Sequence, residues 1–431
     1  MSSEKLIQEV LQATPEKIPF ALKTTAITMI LLGIVGLAIS FGMGNDGAGW
    51  VAILVSAVMI IGLAVAGIIF SAIFQITAAK WGRSYRRLAE GSVVLMPVGI
   101  VLLVIYLIGA DAFIPWAHME HLTGGKHVWL VRGFWDARVL GSLILMYAMA
   151  LYFLYLSLRK DFCIAEVRNR FATGLGAWLA KGIRDDNAER LRCDTRMSYL
   201  APPVVIAYAI IMSFLAFDLI MALEPDWFST LFGAWYFISH LFVGTGIIVT
   251  LSLYYKAHHD LGRFLPELKQ RDIATILFAF CFLSTSFFWD QFLTIWYANL
   301  PEETHFLINR AQGSLGTLVI VGLATFFLLP FVALIFRKVK HSRMLLSTVS
   351  AIALIGIFIM RFLEIAPPTL SLKHPAVFSY IAIPLLGSFL VLLGSLGIGL
   401  WLYAKLLTKV PVMPIGDDIF ANEFTEGNTH E

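Results

Sequence analysis

Charge is scarce in this chain: only 14% of its 431 residues are Asp, Glu, Lys or Arg. A soluble domain carries about 25%, so most of the surface must face something other than water. The net charge of +3 leaves no basic excess for a phosphodiester backbone, and nucleic acid is not an expected partner. Only three cysteines occur, Cys163, Cys193 and Cys281, and no two form a C-x-x-C pair. An iron–sulfur or structural zinc site within the chain is therefore not expected, and neither is a disulfide framework. No phosphate loop, nucleophile triad or metal-ligand cluster can be read. The stretch Met1 to Pro19 lacks the apolar core and small-residue cleavage site of a secretory signal.

What the chain has in quantity is apolar sequence: 58% hydrophobic residues and a mean hydropathy of +0.79. A helix needs about 20 apolar residues to cross a bilayer. Ten stretches qualify: Thr24–Gly42, Val51–Ala79, Gly91–Ile114, Val131–Leu158, Tyr199–Leu223, Ser229–Tyr255, Asp272–Tyr297, Gly313–Phe336, Leu345–Phe362 and Phe378–Leu407. Backbone groups at that depth must be satisfied internally, so the expected fold is an all-α polytopic membrane protein.

Loop charge orients the spans. One set of loops holds Lys80, Arg83, Arg86 and Arg87, then nine Lys/Arg between Arg159 and Arg196, then Lys256, Arg263, Lys269 and Arg271, then Arg337, Lys338, Lys340 and Arg343. The alternate loops hold Lys126, Arg310 and Lys373 beside acidic Glu224, Asp226, Glu302 and Glu303. The positive-inside rule places the first set and both termini in the cytoplasm. The expected layout is a cytoplasmic segment 1–23, a membrane domain 24–407, a cytoplasmic basic loop 159–198 and a cytoplasmic tail 408–431. Phe171 to Ile183 reads equally as an amphipathic helix on the inner surface or as an ordinary loop helix packed on the cytoplasmic ends. The polar, acidic stretch from Pro411 onward is expected to be an extended arm that orders against a partner.

Ionisable residues within spans are costly unless paired or hydrated, which makes each a functional candidate. Asp136, Asp218 and Asp290 all fall in the outer half, and three carboxylates at similar depth suggest one proton-accepting layer. The competing reading is that each pairs with a neighbouring helix and holds the bundle together. Asp136 and Arg138 point in opposed directions, whereas Arg132 and Asp136 share a face, as do Arg361 and Glu364; the last pair is expected at surface level. Ser286, Asp290 and Thr294 follow at i, i+4, i+8 and form a polar stripe reaching the outer surface. This stripe is the best proton- or water-path candidate, although Ser and Thr also serve as interhelical glue. The inner half offers Gln75, Tyr208 and Ser284, but no buried carboxylate is expected there. His240 alone lies deep in a span, so a bis-histidine haem is not expected; His240 is either a core residue or a relay member. Trp116, His118, Trp135, Trp227 and Trp296 are candidates for quinone or lipid contact, or for an interfacial aromatic belt.

Three stretches suggest a family. They are Phe217-Asp218-Leu219-Ile220-Met221-Ala222-Leu223-Glu224-Pro225-Asp226-Trp227-Phe228-Ser229-Thr230, Ala234-Trp235-Tyr236-Phe237, and Gln291-Phe292-Leu293-Thr294-Ile295-Trp296-Tyr297-Ala298-Asn299-Leu300-Pro301-Glu302-Glu303-Thr304. His259-Asp260-Leu261-Gly262 is a weaker match. Together they resemble the NrfD-like (polysulfide-reductase membrane-subunit) family, and within it the second large membrane subunit of alternative complex III, a bacterial quinol:electron-acceptor oxidoreductase. The resemblance implies two four-helix bundles, about 51–223 and 229–362, plus two peripheral helices. It implies quinol oxidation near the outer face of the bacterial inner membrane, with menaquinone, ubiquinone or lipid as the small molecules at hand. The implied partners are a paralogous NrfD-like membrane subunit, an outer-side iron–sulfur protein and multihaem cytochrome c subunits, which would carry the clusters and haem c. On this reading Asp136, Asp218, His240 and Asp290 handle protons, and Glu302-Glu303 docks an outer partner. The alternatives are a membrane anchor of a polysulfide- or sulfoxide-reductase-like complex and an ion-coupled secondary transporter.

Overall fold

The computed structural model describes residues 3–43, 47–118, 125–370 and 378–426. Its longer helices are α1 Ser3–Ala13, α2 Phe20–Gly42, α3 Ala48–Ile76, α4 Arg83–Gly109, α5 Arg132–Asp161, α6 Asp186–Leu219, α7 Leu231–His258, α8 Glu267–Ala298, α9 Pro301–Ala311, α10 Gly313–Ile335, α11 Arg343–Thr369, α12 Phe378–Leu407 and α13 Asp418–Glu426. Ten of these, α2 to α8 and α10 to α12, are long and apolar enough to cross a bilayer. No strand occurs among the described residues. The chain is an all-α, multi-pass membrane protein.

Several helices run past the apolar stretch that marks them in sequence. α6 begins at Asp186, where the Asp185 carboxylate caps the amides of Asn187 and Ala188. Its 34 residues give a length of about 50 Å at 1.5 Å per residue, so residues 186–198 extend the span rather than form a loop. α4 likewise opens at Arg83 instead of Gly91, and α11 continues to Thr369 instead of ending at Phe362. Periodicity of apolar residues marks the part of a helix inside hydrocarbon; capping and packing decide where the helix stops.

The two four-helix groups, α3–α6 and α7, α8, α10, α11, share the central helix α3, which touches α7 and α11 as well as its own group. Every residue of the most apolar window of α3 is buried, as a helix apolar all round requires. The two peripheral helices do not lie apart at the two ends. α2 and α12 pair with each other and pack together on α3 and α4. The contact rests on absent side chains: a Cβ on Gly33 would come within 2.5 Å of the Gly394 Cα, and one on Gly394 within 2.5 Å of the Gly33 Cα. Between apolar helices in apolar solvent, such close backbone approach supplies the attraction that hydrophobicity cannot.

The end bearing the basic loops is capped by the chain's own termini. α1 lies against α13, with Leu6, Val10 and Leu11 buried. Residues 408–426 are therefore not an extended arm: Val410, Val412, Met413, Ile415 and Phe420 are buried in the protein itself. The stretch 171–183 contains only a short helix, Leu175–Ala180, whose Leu179 is buried while Trp178 stays exposed. Arg159 donates to the carbonyls of Leu179 (2.9 Å) and Lys181 (3.1 Å), pinning that helix to the end of α5.

Candidate functional site

Polar groups inside the spans fall into an outer, a middle and an inner set, with outer meaning the end opposite the basic loops. In the outer set Arg138 grips Asp218 with both sides of its fork, Nε to Oδ2 at 2.8 Å and Nη2 to Oδ1 at 2.7 Å. The indole of Trp129 adds a donor to Oδ1 at 3.0 Å, and Trp135 donates to the Asp218 carbonyl at 3.0 Å, near the end of α6 where helical carbonyls lose their partners. The Arg138 guanidinium also lies 3.8 Å above the Trp129 ring. Sequence spacing correctly separates Arg138 from Asp136, but its actual partner is 80 positions away. Arg132 bridges Asp136 (2.9 Å) and Asp111 (2.5 Å), as the shared helix face predicts for the first of these.

Asp290 joins neither pair. Along α8, Cys281, Ser284, Gln291 and Ile295 are buried, whereas Asp290, Thr294 and Trp289 are exposed on the opposite side. The Ser286–Asp290–Thr294 stripe therefore faces away from the bundle, and the three carboxylates do not form one layer. The hydroxyls of Ser286 and Thr294 bond back to the carbonyls of Phe282 (3.0 Å) and Asp290 (2.7 Å) of their own helix.

The densest outer site lies where α7, α9 and α11 meet. Arg361 is buried, not at surface level, because α11 continues two further turns beyond it. It donates to Glu364 Oε2 at 2.6 Å and to Ser239 Oγ at 2.6 Å, with Trp235 and Tyr236 rings 4.3 and 4.7 Å away. Below Glu364, α11 contains Pro367 and Pro368. Each proline lacks the amide that would bond four residues back, which leaves the carbonyls of Leu363 and Glu364 without helical donors. Arg310 of α9 supplies both: Nε donates to Leu363 O at 2.7 Å and Nη2 to Glu364 O at 3.2 Å. The same guanidinium holds Glu224 at 2.6 Å. Burial lowers the pKa of Arg310, with Glu224 pulling in the other direction.

His240 sits next to Ser239, one turn beyond Tyr236. Its Nδ1 is 2.8 Å from the Tyr236 carbonyl. A carbonyl only accepts, so Nδ1 carries the proton and Nε2 is the basic atom of the neutral ring. The ring fills a notch in α3, where a Cβ on Gly62 would lie 2.1 Å from its Cδ2. The Tyr236 hydroxyl donates to Val58 O at 3.0 Å and the Tyr208 hydroxyl to Phe237 O at 2.8 Å. Together these form a hydrogen-bonded series from half-buried Glu224, through Arg310, Glu364 and Arg361, to Ser239 beside His240.

The inner set overturns the expectation of an inner half without buried carboxylates. Glu90, Asp161 and Asp417 are all buried, facing buried Arg83, Arg86 and Arg87: three negative charges against three positive. Glu90 accepts from Ser71 (2.6 Å), Ser157 (2.9 Å), Arg86 (3.2 Å) and Arg87. Arg87 also reaches Asp161 (2.5 Å), whose other oxygen accepts from the Gly416 amide (2.8 Å). Asp417 takes Arg83 (2.9 Å) and Arg86 (2.5 Å). Burial alone would raise the pKa of Asp417, but Arg86, Lys160 and Arg83 together hold it well below the usual carboxylate range. Read as topogenic loop charges, these arginines hid their second role. The spacing Arg83, Arg86, Arg87, Glu90 is i, i+3, i+4, i+7, which puts all four on one helix face and could have revealed it.

The tryptophans divide. Trp116 and Trp135 are buried with rings 5.4 Å apart, and Trp227 is buried and stacked on Phe306 at 3.8 Å. These three are packing residues of the outer end, while Trp296 is exposed. The side chain of His118 lies outside the described residues. An apolar cavity of about 170 Å³ opens between α2, α3, α7 and α12 toward the inner half, lined by Leu63, Gly67, Ser92, Gly244, Leu400 and Tyr403 among others. Its two hydroxyls are already engaged, Ser92 with Ala64 O (3.1 Å) and Tyr403 with Leu88 O (2.9 Å). Among the described residues no group of three His, Cys, Asp or Glu is placed to hold a metal ion.

No protein-family model matches this chain, and no curated protein matches it either.

Proposed function

We propose that the chain is a membrane subunit of a quinol-oxidising respiratory complex of the bacterial inner membrane, handling protons near the outer face with no redox cofactor of its own. The observation that carries this reading is the hydrogen-bonded series Glu224–Arg310–Glu364–Arg361–Ser239, which leads from the outer rim to His240. Quinol oxidation releases protons at the face where it occurs, and a buried carboxylate between two arginines can accept and pass one. The resemblance of residues 217–230 and 291–304 to the NrfD-like family supports the same reading, because both stretches border this series. On this view the electron carriers belong to partners: an outer iron–sulfur protein, multihaem cytochromes c and a paralogous membrane subunit.

Purification in mild detergent, with a reduced-minus-oxidised spectrum and partner identification, tests the assignment. Co-purified c-type haem and an iron–sulfur subunit are the expected result; a lone colourless protein defeats it. Within such a complex, Glu364→Gln should leave assembly intact and lower quinol-driven proton release about a hundredfold. Unchanged release would remove Glu364 from the path.

A further inference from the structure

At bilayer depth this chain pairs its carboxylates almost without exception. Asp136, Asp218, Glu364, Glu90 and Asp161 each meet an arginine of the same chain. Asp290 is the departure: among the described residues its carboxylate has no hydrogen bond and no ion pair. It lies on the outward face of α8, between Trp289 (54% exposed) and Leu293 (39%). Exposed Trp296 and Tyr297 mark the interfacial level farther along the helix. Asp290 is six residues inward of Trp296, about 9 Å at 1.5 Å per residue, and so below that level. A carboxylate facing hydrocarbon at that depth without a counter-charge is unfavourable, and membrane proteins meet this need with a partner.

We propose that the outward face of α8, centred on Asp290, is the docking surface for a transmembrane helix of a different membrane subunit. That helix presents an arginine or lysine at the depth of Asp290. The proposal rests on the reading of this chain as one subunit of a membrane complex, and names the face through which it meets its neighbour. Charge complementarity decides the occupant. Lipid tails offer no counter-charge. A second copy of this chain, related by a two-fold axis, would set the same patch against itself and bring one Asp290 toward another. The face has the composition of such a contact: aromatic and aliphatic residues Phe282, Trp289, Leu293 and Trp296 flank a single charge, with Thr294 as the small polar neighbour.

The test uses the full chain in its native membranes. A photo-crosslinking amino acid is placed at Leu293, with Leu145 on the lipid face of α5 as the control. The expected product at Leu293 is one integral membrane polypeptide of different sequence, with a basic residue at matching depth. Asp290→Lys should lower recovery of that polypeptide at least tenfold while the thermal unfolding of this chain stays unchanged. Changing the facing basic residue of the polypeptide to Asp should restore recovery. Crosslinks at Leu293 to lipid alone or to a second copy overturn the proposal, as does undiminished recovery with Asp290→Lys. The haem spectrum separates the two readings. A haem-containing complex whose Leu293 meets only lipid discards this interface alone, whereas a colourless complex with the interface intact discards the respiratory assignment alone.

Discussion

The inner and outer ends of the membrane domain solve the same problem, buried charge, in opposite ways. At the inner end three arginines and three carboxylates form one closed network, Arg83, Arg86 and Arg87 against Glu90, Asp161 and Asp417. It draws on α4, α5 and the C-terminal segment, and its members hold one another from several directions. At the outer end the charges are separate pairs at separate helix junctions: Arg138–Asp218, Arg310–Glu224, Arg361–Glu364. A closed network resists the loss or gain of a proton, because each group is fixed by several others. An isolated pair beside a basic histidine nitrogen can change protonation without unravelling its surroundings. The inner network thus locks the fold and joins the tail to it, while the outer pairs have the freedom that proton traffic needs.

The sharpest way to break this comparison is at Glu90. Glu90→Ala leaves Arg86 and Arg87 buried with part of their counter-charge gone, and should cost about 3–5 kcal/mol. Thermal unfolding in detergent would register this as a large drop in midpoint. A shift comparable with that of a surface variant would mean that the network is hydrated rather than closed.

At the outer end Arg310→Met should cost roughly 2–4 kcal/mol, since it strands two carbonyls and Glu224 together. The cause can be isolated with a cycle. Pro367→Ala with Pro368→Ala returns the missing amides, so in the Arg310→Met background the pair should recover about 1 kcal/mol or more. Strictly additive effects would show that Arg310 does not stand in for those amides.

The tail contact carries a pH signature. The folded pKa of Asp417 lies below its unfolded value, so its contribution is fully present above the ordinary carboxylate range and is lost as pH falls through and below it. Acid titration of stability should therefore show a falling limb that Asp417→Asn flattens, with a loss of about 1–3 kcal/mol for that variant at neutral pH. An identical acid limb in both proteins would place the titration elsewhere. The smallest effect belongs to the α8 stripe: Ser286→Ala removes a hydroxyl that bonds only its own helix, and should change stability by less than about 0.5 kcal/mol. A larger loss would put Ser286 in a contact outside the chain.

Much of this was legible in the amino-acid order. Hydrophobic length identified all ten spans, and helical spacing identified Arg132–Asp136 and Arg361–Glu364 as same-face pairs. Depth was legible as well, which is why Asp218, His240 and Asp290 stood out. The face was not. Asp218 and Asp290 look alike in sequence, each a carboxylate several residues from an outer helix end, yet one is clasped by Arg138 and the other looks outward. The tail misled for a related reason: its polar composition resembles an arm, whereas Asp417 is a counter-charge for arginines more than 300 positions earlier.

The sequence by itself determined the class, the number of spans and which end of each helix carries the basic charge. Those follow from chain length against bilayer thickness and from local charge, and neither depends on which helix neighbours which. Only the tertiary structure decided the partners: Arg138 with Asp218, Arg310 with two proline-orphaned carbonyls, His240 in the notch at Gly62, and the tail closing the inner network. In hydrocarbon every polar group must find a partner, but which partner depends on the rotation and neighbours of each helix. Hydropathy, nearly uniform around α3 and its neighbours, does not encode that rotation.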